Sequence, residues 1–389
     1  MQEFFSTEHE RCASLIHEAG EYLMIEKLGI ENFRCFKSVL IQDLKRVNII
    51  VGKNASGKTV LLESIKVGLD GLPGALPWLN QMRNIYTILP QNPTPEQFQS
   101  LFVEFFHRFE SKEEIFISIE DSQHRTAELR IHFDPSEATT TQAPIGFQLP
   151  IGFQPPQPVP SAPPITVIPL AFERTDFQGK KDTVLATINP QGGLFLSPGK
   201  TMGIVSGLIS SSYFGGPGEN ATWLSRLNIE KRSGEIIQAI RTHFPFISEI
   251  TSETPLPGMG TLFADLKSLP RKIPLSLVSG GISRLFTMML SIVQYEGGVV
   301  LIDEIENGIF HEQYPLIWKT LVDLAKHHDT QLFISTHSLE CLRGLLPSIK
   351  DNEKEILLLR LDRENGSSKI TPIGGKFIEA AIEQGFDVR

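Results

Sequence analysis

The chain has 389 residues, 41% hydrophobic and 21% charged, which is material enough for one large α/β domain or roughly two to three smaller ones. A net charge of −9 with a pI near 5.6 excludes a uniformly basic nucleic-acid-coating protein, though not a local basic patch. Three scattered cysteines, Cys12, Cys35 and Cys341, match neither a disulfide framework nor a Cys/His zinc spacing. They read as reduced thiols, the N-terminus is too charged for a signal peptide, and no apolar run approaches the roughly 18 residues a membrane span needs. A cytoplasmic location with no membrane contact is the expectation.

Residues 7–18 carry a short helical pattern. Strand-like stretches follow in EYLMIEKLGIENF, SVLIQDL and RVNIIVG, and TVLLESIKVGL then reads as an amphipathic helix. Residues 80–110 look helical and aromatic-rich; EIFISIED, TAELRIHF and ITVIPLAFERTDF look like strands. Between Pro135 and Pro164 the composition turns proline-rich, with PIGFQ repeated, and suits an extended surface loop. A helical stretch follows over 221–245. From Ser283 onward helix and strand alternate, the pattern of a mostly parallel sheet with crossover helices, and no heptad run predicts a coiled-coil arm.

Three motifs carry chemistry. GKNASGKT at 52–59 sits between a buried strand and a helix, the setting a phosphate-binding loop requires. Gly52 and Gly57 let the backbone wrap a polyphosphate, and the amides of Asn54, Ala55 and Ser56 line the wrap. Lys58 is placed to reach the β/γ-phosphates and Thr59 to ligate Mg²⁺. VVLIDE at 299–304 presents Asp303 at a strand's C-terminal end as a second Mg²⁺ ligand, with Glu304 as candidate general base. LVSGGISRLF sets Ser279, Gly280 and Gly281 at a helix start, a second anion site in a chain that already has a phosphate loop.

Walker A at 52–59, SGGxxR at 279–284, the apolar strand ending in DE at 304, and FISTHS at 333–338 occur in the order found in ABC-type ATPases. The chain resembles their SMC-like heads, and IENFRCFKSV and DEIENGIFHEQ look closest to single-chain ATPases related to the OLD family of bacterial defence systems. The resemblance covers 22–70 and 275–389 well and 71–274 poorly. It implies an α/β head of the P-loop NTPase type with a mixed sheet core, a β-rich N-terminal lobe and a helical insertion lobe. The expected divisions are an N-terminal extension (1–20), a first half-head (21–195) with a proline-rich loop near 135–164, an insertion lobe (196–272) and a second half-head (273–389).

The same resemblance implies ATP and Mg²⁺ as cofactors, with Lys58, Glu304 and His337 catalytic and His337 acting as the switch that senses the γ-phosphate and positions Glu304. Ser279, Gly280 and Gly281 are implied to meet the γ-phosphate held by a second copy, and Asn307 and Gly308 to lie in the D-loop between copies. Arg34 is implied to approach the phosphates or to form a structural salt bridge, and several glutamines in 81–178 can supply a Q-loop. The implied partners are a second copy or a higher homo-oligomer and a separately encoded, nuclease-type effector, because the chain ends at GFDVR with no fused Toprim domain. A RecF-like DNA clamp is the competing expectation, with RLNIEKR (226–232) and KSLPRK (267–272) as modest basic patches.

Overall fold

A computed structural model describes residues 23–85, 94–141, 165–189, 193–211, 218–256, 258–364, 366–375 and 377–383. The pattern at 7–18 and the PIGFQ repeat lie outside the described residues. The first half holds β1 (Ile25–Phe33), β2 (Phe36–Ile41), β3 (Val47–Gly52), α1 (Lys58–Asp70), α2 (Ala75–Met82) and α3 (Pro95–Ser100). It continues through β4 (Ile115–Asp121), β5 (Thr126–Phe133), β6 (Thr139–Thr141), β7 (Ile165–Val167), β8 (Leu170–Thr175), β9 (Lys181–Ile188) and β10 (Leu194–Leu196). Next come β11 (Ser206–Ile209), α4 (Glu219–Ile229), α5 (Gly234–His243), β12 (Ile247–Leu256), β13 (Met259–Leu266), β14 (Ile273–Pro274) and α6 (Leu275–Val278). The last part holds α7 (Gly280–Gln294), β15 (Val299–Ile302), α8 (Tyr314–His327), β16 (Gln331–Ser335), α9 (Leu339–Asp351), β17 (Ile356–Glu364), β18 (Ser367–Gly374) and α10 (Phe377–Glu383).

Two large sheets result. One has seven antiparallel strands in the order β10-β9-β8-β5-β4-β1-β2. Its strands alternate, as β4 shows with Ile115, Ile117 and Ile119 buried on one face. The other runs β11-β15-β16-β3-β17-β18, parallel except for the β17–β18 hairpin. Its central strands β3, β15 and β16 are buried at every residue, as a sheet covered on both faces demands. Helices α7, α8 and α9 cover one face around Phe286, Trp318 and Leu345. The N-terminal sheet and α1 close the other, and α1 lies so near β4 that a Cβ on Gly68 would stand 2.7 Å from Ile117 Cγ2.

The lobe expected to be helical over 196–272 holds α4 and α5, and more besides. β11 is the edge strand of the parallel sheet, and β12 with β13 makes a long hairpin beneath the two helices. These strands alternate only partly, with a mixed burial pattern, so periodicity alone did not separate them from loop.

A buried amide bridges the two sheets alongside their shared apolar core. Gln331, fully buried at the start of β16, accepts from Ile25 N–H at 2.9 Å and donates to Ile25 O and Lys45 O at 2.9 and 2.8 Å. Replacing it by Leu removes the side-chain partners of Ile25 N–H and Ile25 O and one of the two donors to Lys45 O, whose other donor is Asn48 Nδ2. Gln331→Leu is expected to lower stability by on the order of 3 kcal/mol in urea denaturation; an unchanged midpoint would mean that other contacts fasten the lobes.

Candidate functional site

The parallel sheet brings β3, β16 and β15 side by side, so their C-terminal ends deliver the phosphate loop, FISTHS and the DE pair to one edge. The loop needs its glycines. Gly52 has φ 151° and Gly57 φ 104°, and a Cβ on Gly52 would stand 2.3 Å from Leu361 O. Ala55 also sits left-handed, at φ 61°. Lys58, the first residue of α1, is buried and donates from Nζ to Gly52 O at 2.7 Å and Lys53 O at 3.1 Å, which curls it over the loop. Burial lowers its pKa while Asp303, Glu304 and Glu306 raise it.

Thr59 Oγ1 stands 3.1 Å from both oxygens of Asp303, and Ser335 Oγ donates to Asp303 Oδ1 at 2.7 Å. Burial pushes the Asp303 carboxyl above the ordinary range, and the charge of Glu304 adds to that; Ser335, Thr59 and Arg284 pull it down. Ser335 Oγ also accepts from Glu304 N–H at 2.8 Å, so one hydroxyl ties both acids together.

Glu304 occupies the left-handed region at φ 52°, a cost of about 1–2 kcal/mol for a residue with a side chain. Several contacts hold it there. Arg284 Nη2 donates to Glu304 O at 3.0 Å, Asn307 N–H donates to Glu304 O at 3.1 Å, and Asn307 Nδ2 donates to Glu304 Oε2 at 2.7 Å. At about 1 kcal/mol each, these with the Ser335 bond outweigh the strain. Arg284 also donates to Ser210 O and Asp303 O, and burial lowers its pKa to about 10.

His337 lies nearer Glu306 than Glu304. Its Nδ1 is 2.9 Å from Glu306 Oε1 and 3.9 Å from Glu304 Oε1, and its backbone N–H donates to Glu306 Oε1 at 2.8 Å. The sequence linked His337 to Glu304 alone; Glu306, almost wholly buried, is the closer partner. Its position in DEIENG, two residues past Glu304, was the available signal. Arg284 was equally legible as the one charge on the buried face of an otherwise apolar helix.

Ser279 caps α7 with extended backbone and Gly280 is exposed, while Gly281 meets the D-loop: a Cβ there would stand 1.9 Å from Gly308 O. Gly308 itself has φ 75°. Arg34 forms the structural salt bridge, one of its two expected roles. Its Nη1 stands 3.0 Å from Glu63 Oε2, its guanidinium lies over the Phe105 ring at 4.6 Å, and Arg83 binds the other oxygen of Glu63 at 2.6 Å. Glu63 is buried one turn beyond Thr59, so it draws both arginines to the flank of α1. Among the glutamines weighed for a Q-loop, Gln97 is taken up by a capping box on Thr94.

The residues fit a nucleotide with its cation. The loop closes so tightly that only glycine serves at 52, and Ser56 Oγ is buried with no hydrogen-bond partner among the described residues. Thr59 hydroxyl and Asp303 carboxylate form an all-oxygen pair suited to a hard divalent ion. Among the described residues no helix is long and apolar enough to cross a membrane.

Two family models match: an AAA ATPase domain over residues 24–195, and an AAA domain described as a putative AbiEii toxin of a type IV toxin–antitoxin system over 221–343. A protein of Helicobacter pylori (strain ATCC 700392 / 26695) named ATP/GTP phosphatase is 23% identical over 356 residues, 85% of this chain and 90% of that protein. The DNA replication and repair protein RecF of Ligilactobacillus salivarius (strain UCC118) is 47% identical over 45 residues, 12% of each chain. Among solved structures, an SMC head bound to the C-winged helix domain of ScpA aligns with TM-score 0.50 and 14% identity, covering 90% of this chain and 98% of that one.

Ionised Asp303 is a cost to the folded chain at neutral pH. A carboxyl whose folded pKa is raised binds its proton more tightly folded than unfolded, so stability falls as pH rises through the raised value. Asp303→Asn is therefore expected to melt higher than the parent at neutral pH in the absence of nucleotide, with the gap closing toward pH of about 4. A lower melting temperature for the variant at both pH values would contradict this electrostatic account.

With ATPase models matching both halves, a phosphate loop facing a DE pair, and this topology, the chain is a P-loop ATPase with the fold of an SMC head.

Proposed function

We propose that the protein is an SMC-like ABC ATPase in which two heads pair around two Mg-ATP molecules, and that pairing and hydrolysis switch a partner. One observation carries this reading: the Thr59 hydroxyl and the Glu304 amide are joined through Asp303 and Ser335 into a single hydrogen-bonded unit. Asn54, Ala55, Ser56, Gly57 and Lys58 hold the phosphates, and Thr59 with Asp303 would hold the cation. Mg²⁺ bound there supplies charge neutralisation at the β- and γ-phosphates. Glu304 takes the proton of the attacking water, a role worth ~10²–10⁴-fold. His337, its Nδ1 held by Glu306, keeps Nε2 for the γ-phosphate.

The pairing face is supported by exposure around the signature turn. Gly280 is open, and Leu277 and Phe310, at 74% and 61% exposed, flank the Gly281–Gly308 contact. Ser279, Gly280 and Gly281 would meet the γ-phosphate of the second copy. That the partner switched is a separately encoded nuclease-type effector in anti-phage defence rests on the resemblance at 22–70 and 275–389.

The RecF match favours a second reading, a clamp on DNA. Its basic patches are partly neutralised: Arg232 pairs with Glu230 and Glu296, and Lys272 lies 3.4 and 3.3 Å from Glu249 and Glu253. ATP-dependent DNA affinity that falls steeply with salt would favour the clamp.

Light scattering on Glu304→Gln is expected to show a monomer that becomes a dimer with Mg-ATP, while Ser279→Arg binds ATP and stays monomeric. A Ser279→Arg protein that both pairs and turns over normally would refute the assigned pairing face. Glu306→Gln is expected to lower kcat by about 10-fold or more with KM for ATP little changed; a rise in KM alone would place Glu306 in binding rather than in orienting His337.

A further inference from the structure

Far from the phosphate loop, the insertion lobe meets the core at a cluster the ATPase reading does not use. Helix α5 runs antiparallel to α8: Glu235 in its first turn faces His327 and His328 at the end of α8, and His243 Nε2 near its other end is 2.9 Å from Thr320 Oγ1. Glu235 Oε2 lies 3.0 Å from His327 Nδ1, and Glu235 Oε1 lies 2.5 Å from His328 Nε2. One ligand atom from each of the three falls within 4.8 Å of the others.

A bare ion-pair staple explains part of this, since an acid at a helix start and histidines at a helix end both suit the macrodipole. It does not explain the other side of His328. That ring is buried, and its Nδ1 has no hydrogen-bond partner among the described residues, yet it stands 3.8 Å from Glu296 Oε1. If Nε2 donates to Glu235, Nδ1 is an unprotonated nitrogen facing a carboxylate. Moving the proton to Nδ1 points an N–H at that carboxylate, turning repulsion into attraction, and leaves the Nε2 lone pair for an electrophile. A ligating histidine backed by a carboxylate on its second nitrogen is the arrangement metal sites use to fix tautomer and raise basicity. Arg232 pairs with Glu296 and with Glu230, which anchors the backing carboxylate beside His328.

We propose that Glu235, His327 and His328 form a site for a borderline divalent cation of the Zn²⁺ class, backed by Glu296, that fastens the insertion lobe to the ATPase core. Two imidazoles and one carboxylate suit Zn²⁺ over Mg²⁺ or Ca²⁺, and the set leaves a fourth position for water. Contraction to Zn–N distances of about 2.0–2.1 Å falls mainly on His327, whose side chain is 72% exposed and free to swing inward. Binding at this junction requires no nucleotide.

The test is calorimetric titration of chelator-stripped full-length protein with ZnCl₂ in millimolar Mg²⁺, which keeps Zn²⁺ off Thr59 and Asp303, with Co²⁺ absorption as a second readout. The parent is expected to bind one Zn²⁺ tightly and to show the visible band of tetrahedral Co²⁺. Glu235→Gln and His327→Ala are expected to lose at least 100-fold in affinity, Glu296→Gln about 10–100-fold, and the distant His124→Ala nothing. His327→Ala removes only an exposed side chain, and far-UV circular dichroism confirms its fold. Absence of Zn²⁺ binding by the parent, or binding unchanged in Glu235→Gln and His327→Ala, would overturn the site and leave the cluster a hydrogen-bonded staple.

Discussion

A carboxylate shut away from water is costly, and the edge of the parallel sheet is organised around one such group, Asp303. The hydroxyls of Thr59 and Ser335 meet part of that cost, and the remainder is what the proposed cation would offset. Because Thr59 opens α1 and Ser335 closes β16, satisfying this acid fixes where the phosphate loop and the switch segment stand relative to the DE pair. Glu304 inherits its position from the same network. Its left-handed backbone is bridged to Ser335 on one side and to Arg284 on the other, so the proposed base is aimed by groups that never touch a substrate.

Much of this edge was legible in the chain itself. Motifs whose function is set by backbone shape, such as GKNASGKT, announce themselves because only glycine tolerates the required φ and closeness. Strands buried on both faces, such as VVLI and QLFIS, read as unbroken apolar runs. What stayed hidden depends on side-chain pairings between distant segments. Nothing local tells that Arg34 leans on Glu63 and Phe105, and DEIENG offers two acids to His337 without telling which one the tertiary fold brings closer. The hairpin β12–β13 escaped for another reason. Half-exposed strands of small and polar residues with irregular burial carry little period-two signal.

Both lobes share apolar cores with the parallel sheet and its helices: the N-terminal sheet adds the buried Gln331, and the insertion lobe, packed through Trp223, Leu224, Ile236 and Ile240, adds polar contacts along α5 and α8. Apolar burial is insensitive to pH and ions, but imidazole–carboxylate contacts respond to both. The polar share of the insertion lobe's attachment is thus the part that solution conditions can tune.

The Gly281–Gly308 contact has a mechanical meaning. Two backbones touching with no side chain between them have almost no compliance: neither turn can tilt by an ångström without displacing the other. The first belongs to the turn proposed to receive a neighbour's phosphate, and the second follows Glu304 by four residues in the chain's own hydrolytic loop. A displacement at one is passed to the other by steric contact, so in the proposed pair the turn that meets a partner's nucleotide would be coupled to the loop that carries Glu304.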